Sequence, residues 1–375
     1  MLSCQRRYCC LMLCVFYVFS FGQVLSAGGT NQAQPTVTAT KKKALLAVFG
    51  VASRSTRHTW PQVKKMIVAP LQADYDVDLY VFNNQLDNVA TLDGYPVQKS
   101  GRDLFDGVDS VTYHEMSQSQ IDIELAQKYP RNTLLPGLYR LPKPRFFSWS
   151  QKHQDRNYRT AHNAMRQFYA EQTVSDYLSQ TTSQYDLVVA ITADLYPLLA
   201  LDMDQIHAYL AQDESVILLS PQNNSGAKYN KKLREFTNGY YVGSQNSVAK
   251  VMGTLKAAPF NNIDPRLYLS YENALGLTIR YHCLLPIDVD LYFAKMRNSG
   301  ICTYTGQCVL GKGCRNGLVS HVYGNLDLKK QALVKTELSA LKLNMPSLSF
   351  ENVPWFLGSF FGHQYWLQNL CNLLF

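Results

Sequence analysis

Ala44-Leu45-Leu46-Ala47-Val48-Phe49-Gly50 is an unbroken apolar run that stops abruptly at glycine. Tyr75-Asp76-Val77-Asp78-Leu79-Tyr80-Val81-Phe82-Asn83-Asn84 is a second run of strand character. Between them lie a polar stretch, Val51 to His58, and a segment patterned as a helix from Trp60-Pro61 to Leu71. A continuous apolar strand, a helix and a second strand make the βαβ unit of a parallel sheet covered on both faces. Ligands of such sheets sit beyond the carboxyl ends of the strands. Here those ends are Gly50 to Arg57, read as a loop, and Asn83-Asn84. An anion is therefore expected near Gly50, Arg54, Arg57 and Asn83.

The rest of the chain extends this pattern. Asp155 to Gln180 reads as a long helix and Tyr185 to Asp194 as a buried strand ending in a carboxylate. Met203 to Ala211 reads as helix, Ser215 to Ser220 as strand, and Gly239 to Ser244 as a short strand leading into a helix near Asn246. A helix over Pro265 to Leu277 and a strand over Ile279 to Leu285 follow. A short helix is expected at Ser119 to Lys128, while Gln85 to Arg140 is otherwise irregular. Alternating strands and helices define an α/β fold with a mainly parallel sheet and helices on both faces.

Composition sets the bounds. The chain has 375 residues, 46% hydrophobic and 17% charged, with 24 Tyr and 17 Phe, enough for a full core. The net charge of +8 is spread over small separate groups, among them Lys41-Lys42-Lys43 and Lys231-Lys232. No single basic face of the kind nucleic-acid binding needs is visible, so no nucleic-acid partner is expected.

Arg6-Arg7 precede Tyr8 to Ala27, a stretch without charge. Two readings stand side by side: a cleaved signal peptide, with Val24-Leu25-Ser26-Ala27 as the cleavage site, or an uncleaved signal anchor with its positive charge on the cytoplasmic side. Both send the remainder into the secretory lumen, as a type II membrane protein of the Golgi or ER or as a secreted one. Residues 28–42 form a polar stalk. Of nine cysteines, Cys4, Cys9, Cys10 and Cys14 lie in or beside the leader, and Cys283, Cys302, Cys308, Cys314 and Cys371 come late. In an oxidising lumen clustered cysteines pair as disulfides more often than they hold zinc. The organisation expected is therefore a leader over 1–27, a stalk over 28–42, a catalytic-type domain over 43–300, and an extension over 301–375 bearing disulfides. Asn223-Asn224-Ser225 is a glycosylation sequon.

Three sites carry chemistry. Arg54 and Arg57 suit a diphosphate, because guanidinium groups pair bidentately with phosphate oxygens. Asp194, directly after a strand, is placed either to hold Mg2+ or Mn2+ bridging phosphates or to cap a helix. Glu272, on an otherwise apolar helix, is either a solvated acid or a general base for an acceptor hydroxyl. The D-x-D pair Asp202/Asp204 reads as a helix start, and Asp76/Asp78 lies at the wrong end of its strand. No G-x-S-x-G, no P-loop and no G-x-G-x-x-G is present.

Phe49-Gly50-Val51-Ala52-Ser53-Arg54-Ser55, Tyr75 to Val81, Asn163-Ala164-Met165-Arg166-Gln167, Tyr185 to Ala190 with Asp194-Leu195, Gly239 to Ser244 and Glu272-Asn273-Ala274-Leu275 together are similar to the blocks of a poorly characterised family. Its members are the glycosyltransferase-like proteins of algae, protists and large viruses, and the similarity spans Lys43 to Gly300. The resemblance implies a GT-A-like fold, a nucleotide-sugar donor, a divalent metal (Mn2+ or Mg2+), and a glycan or glycoprotein acceptor. It would place Arg54 at the diphosphate, Asp194 at the metal or sugar, and Glu272 at the acceptor. One departure stands out: the family's Arg-Pro-Asp is here Thr192-Ala193-Asp194. The lost arginine leaves a rival in place, a lumenal binding protein of the same fold without turnover. A phosphate-handling enzyme is a third class.

Overall fold

The computed structural model describes residues 41–87, 91–92, 95–96, 101–128, 151–221, 236–257, 271–296, 302–304 and 308–309, and positions 327, 329–330, 332–333 and 336–337. Of these, 53–55, 91–92, 95–96, 151–162, 273, 302–304 and 308–309 are described in backbone only. The leader, the stalk up to Thr40 and the sequon lie outside the described residues, and Lys42, read as the end of the stalk, opens the first strand.

The strands are β1 (Lys42–Gly50), β2 (Tyr75–Gln85), β3 (Thr91–Leu92), β4 (Tyr95–Pro96), β5 (Ser110–Ser117), β6 (Leu187–Thr192), β7 (Leu195–Pro197), β8 (Val216–Leu219), β9 (Tyr240–Gly243), β10 (Leu285–Asp288), β11 (Phe293–Met296), β12 (Cys302–Tyr304) and β13 (Cys308–Val309). The α-helices are α1 (Ala52–Val63), α2 (Ala69–Asp74), α3 (Gln118–Lys128), α4 (Gln151–Gln180), α5 (Met203–Leu210), α6 (Gln245–Met252) and α7 (Tyr271–Tyr281). A wider π-helical turn, Lys64–Val68, joins α1 to α2, between Pro61 and Pro70, two residues that lack the N–H a regular α-turn needs.

Seven strands form the main sheet in the order β10-β8-β9-β6-β1-β2-β5. β1 pairs parallel with both β2 and β6, β2 with β5, and β8 with β10. β9 alone runs against its neighbours β6 and β8. This is the mainly parallel α/β sheet that the apolar runs imply.

Its side chains divide by parity, as the twofold repeat of a strand demands. Leu45, Ala47, Phe49, Val188 and Ala190 face α3, α4, α6 and α7, while Ala44, Leu46, Val48, Leu187, Val189 and Ile191 face α1, α2 and α5. Helices thus cover both faces. Truncating one of these fully buried leucines to alanine removes about 2–5 kcal/mol.

Three local readings differ from the structure. Val51 to His58 is not a loop, because α1 begins at Ala52. Val51 has no side chain that can cap a helix, and Asn83 supplies the cap from β2: the Ala52 N–H donates to Asn83 Oδ1 at 3.0 Å. The strand expected at Ile279 to Leu285 begins only at Leu285, since α7 runs to Tyr281. β5, an edge strand with a half-exposed pattern, lies inside the region read as irregular. Asp202 does start a helix, accepting from the Gln205 N–H at 3.0 Å.

Part of the C-terminal region returns to the domain. Lys330 pairs with Asp290 at 2.7 Å, and Glu337 pairs with Lys65 at 2.7 Å and accepts from Gln62 Nε2 at 3.0 Å. Cys283, at a positive φ of 52°, is disulfide-bonded. Among the described residues, no helix is long and apolar enough to cross a membrane.

Candidate functional site

β1, β2 and β6 all end on the same side, and there the chain leaves the sheet in three different ways. β1 stops at Gly50, whose φ of 107° is a backbone state that residues with a Cβ rarely adopt. β2 carries Asn83-Asn84, both buried, just before its last residue, Gln85. β6 ends at Thr192 and turns through Ala193-Asp194 into β7.

A cavity of about 370 Å³ opens between these ends. Gly50, Val51, Asn84, Gln118, Asn163, Arg166, Gln167, Thr192, Asp194 and Lys295 supply its polar wall. The expectation of a site beyond the carboxyl ends of the strands therefore has a cavity to match.

Asp194 is held firmly through its backbone. The preceding Ala193 donates its N–H to Phe49 O at 2.8 Å and accepts from the Thr59 hydroxyl at 2.9 Å. Asp194 O accepts from the Met296 N–H at 2.7 Å. β11 pairs antiparallel with β7, setting Lys295 opposite Leu195. A carboxylate and an ammonium are thus brought to one cavity wall from positions about a hundred residues apart.

The other cation of the lining, Arg166 on α4, is anchored. Its Nε and Nη2 form a fork on Asp122 at 2.8 and 2.5 Å, and Nη1 reaches Asn163 Oδ1 at 3.3 Å. Such a bidentate pair fixes the guanidinium plane at the rim.

The residues singled out by sequence fall in different places. Gly50 and Asp194 line the cavity. Asn83 lies beside it, fully buried, bonded to Ala52 N and reaching Glu115 with Nδ2 at 3.5 Å. Arg57, in the second turn of α1, is exposed, and its Nε donates to His58 Nε2 at 2.9 Å. Arg54 lies in the first turn of α1, where the backbone alone is described. Glu272 is half-buried in the first turn of α7 and is not among the residues lining this cavity.

Thr192 is buried against Gly239: a Cβ on Gly239 would come within 2.8 Å of Thr192 Cγ2. The φ of 86° at Gly239 likewise favours glycine.

Beneath the floor lies a group that the sequence did not single out. Glu171, on α4, is fully buried, one turn beyond Gln167 and next to Ala170, both of which line the cavity. Its Oε1 accepts from the hydroxyls of Tyr241 (3.0 Å) and Tyr271. Burial pushes its carboxyl up to about 7, against the opposing pull of Tyr271, Tyr241, Gln167 and the Lys295 charge. Burial and the Glu171 charge together hold both tyrosines well above the usual phenol range. Glu171 Oε2 and Gln167 Nε2 face one another's region yet close no strict hydrogen bond within the protein. Tyr271 also stacks on Phe168 at 4.4 Å. An acid with this address has no local sequence signal, since its burial is set by residues on two other elements.

The family's divalent metal can be tested against the donor set. Among the described residues, no three His, Cys, Asp or Glu side chains gather as a metal-binding group. Among the described residues, Asp194 is the one carboxylate in the cavity wall, with buried, unpartnered Asn84 Oδ1 and Thr192 Oγ1 in the same wall. Oxygen donors with a single carboxylate fit Mg2+ or Mn2+ only when substrate phosphates complete the shell.

No protein-family model and no curated protein matches the sequence. Among solved structures, mouse xyloside xylosyltransferase 1 in its apo form is similar at 9% identity and a TM-score of 0.36, over 66% of this chain and 85% of that one. The galactosyltransferase LgtC, in complex with donor and acceptor sugar analogues, is similar at 10% identity and a TM-score of 0.31, over 64% and 70%. Both scores are low, so the reading of the cavity rests on its own residues.

Proposed function

We propose that the chain is a GT-A-like glycosyltransferase that takes a nucleotide sugar into the cavity at the carboxyl end of the sheet. It passes the sugar to a hydroxyl of a glycan or glycoprotein in the secretory lumen, tethered by its N-terminal anchor where that is retained. The observation that carries this reading is Asp194. It stands on a turn pinned to β1, α1 and β11, in a wall whose other polar side chains are amides, a hydroxyl and two cations.

Each part of the wall has a distinct task in this reading. Sugar transfer breaks the bond between the anomeric carbon and the diphosphate, forms one to the acceptor oxygen, and hands the acceptor proton to a base. The leaving diphosphate gathers negative charge, which Lys295 in the cavity wall would offset, with Arg54 on the first turn of α1 and Arg57 on its second as the further cations of this reading. Asn84, Gln118, Asn163 and Gln167 present amides suited to sugar hydroxyls. Asp194 orients the sugar and would hold a divalent metal, whose chemistry is to neutralise the leaving diphosphate. Glu272, outside this wall, is the candidate for the acceptor-side base in this reading.

One observation favours a second reading. The Thr192 side chain is packed against Gly239 where the family carries an arginine, which suits a protein that binds donor or glycan without turnover.

A thermal-shift screen of UDP- and GDP-sugars, with and without Mn2+, tests the proposal. A ligand at a hundredfold its Kd stabilises the native state by about 2.7 kcal/mol. A donor that raises the melting temperature and is then consumed with an acceptor supports transfer, and a shift without consumption supports the second reading. No shift with any donor contradicts transfer and the donor-binding form of the second reading, and leaves only its glycan-binding form.

A further inference from the structure

We propose that Glu171 is a positioning residue that sets the charge of the cavity floor, so that an anion is held tightly when its carboxyl is protonated and weakly when it is ionised. The inference deepens the donor-site reading and rests on it for the class of anion, a nucleoside diphosphate ester.

The geometry is that of a charge locked in place beneath a binding wall. Glu171 cannot swing away, because Tyr241 from β9 and Tyr271 from α7 both donate to Oε1, and Phe168 stacks on Tyr271. Its own helix lifts Gln167 and Ala170 into the cavity lining. From β11, Lys295 lines the same cavity and acts electrostatically on Glu171. Among the described residues, the groups facing Glu171 are thus two neutral phenols, one amide and one ammonium.

A carboxylate in this low-dielectric position competes directly with any ligand for the field of Lys295. Burial places the midpoint of that competition at about 7. The competition runs both ways: an anion entering the cavity raises the proton affinity of Glu171, and a proton on Glu171 raises the affinity for the anion. One proton taken up per anion changes affinity by at most tenfold per pH unit.

The test is calorimetric binding to the full-length chain at pH 6 and pH 8, using UDP-glucose and, separately, sulfate. Neither probe titrates between those values. Wild type is expected to bind roughly three- to tenfold more weakly at pH 8 than at pH 6. Glu171→Gln keeps an acceptor for the two tyrosines and removes the charge. It should bind more tightly than wild type at pH 8 and nearly alike at both values, a gain that a damaged fold could not produce. Lys295→Met should lose the pH dependence along with the affinity. A Glu171→Gln variant that binds either probe no tighter than wild type at pH 8 overturns the inference, as does a failure of both probes to bind. UDP-glucose failing while sulfate shows the full pattern would count against the nucleotide-sugar reading and leave the role of Glu171 standing.

Discussion

The two ends of the central sheet are built from similar residues to opposite effect. At the amino end the polar groups satisfy one another. Tyr185 donates to Asp78 at 3.0 Å and meets the Tyr177 hydroxyl at 3.3 Å, and the Lys43 N–H donates to Asp186 at 2.9 Å. Gln245 ties the Tyr185 N–H at 2.8 Å and Leu178 O at 2.8 Å, closing that end onto α4 and α6.

At the carboxyl end, among the described residues, buried polar atoms remain without a hydrogen-bond partner: Asn84 Oδ1, Thr192 Oγ1 and the Tyr240 hydroxyl. An unmet buried polar group costs about 1–3 kcal/mol. One end of the sheet is therefore finished for stability and the other is left with its chemistry unspent. Folding alone gives no reason for that asymmetry, whereas a ligand does.

The comparison can be broken at several points. The largest effect on stability is expected at Glu171. Its folded-state pKa of about 7 lies above the 4.5 of a free glutamate, so it binds its proton more tightly when folded. The stability it contributes is full below about pH 4.5 and is lost as pH rises through 7, a fall of about 3 kcal/mol. Chemical denaturation across that window should show this fall in wild type and not in Glu171→Gln. Equal slopes would mean that the carboxyl does not titrate in the folded protein.

Next comes Gly50→Ala. A Cβ there meets nothing within 4 Å, so only the backbone strain at φ 107° is probed. The expected loss is about 1–2 kcal/mol, measurable as a lower denaturation midpoint with an unchanged slope. The smallest effect belongs to the finished end. Tyr185→Phe should cost about 1 kcal/mol and leave ligand affinity at the other end untouched. A change in affinity there would erase the division between the two ends.

The same contrast explains what could be read from sequence. β6 and β8, with β1 from Ala44 and β2 from Leu79, are buried on both faces and appear as apolar runs, and the length of α4 follows from its extended helical pattern. β5 gives no such run, because as an edge strand it is half-exposed, Ser110-Val111-Thr112-Tyr113-His114-Glu115-Met116-Ser117. The start of α1 was hidden because its cap, Asn83, lies on the next strand.

At the site, Gly50 and Asp194 were legible since each directly follows an apolar strand. Lys295 and Glu171 were not. The first reaches the cavity through the pairing of β11 with β7, and the second reads as an ordinary helix acid until Tyr241 and Tyr271 close over it. Position along a strand is local information, whereas burial of a polar group is tertiary.

The most direct measurement is calorimetric titration of the full-length chain and of Asp194→Ala with the UDP- and GDP-sugar that give the largest thermal shifts. The account predicts saturable binding by wild type at one site per chain, weakened at least tenfold in Asp194→Ala, a loss of about 1.4 kcal/mol or more. Equal affinity in the two proteins, or no binding by wild type, would contradict the assignment of the carboxyl-end cavity as a sugar-donor site.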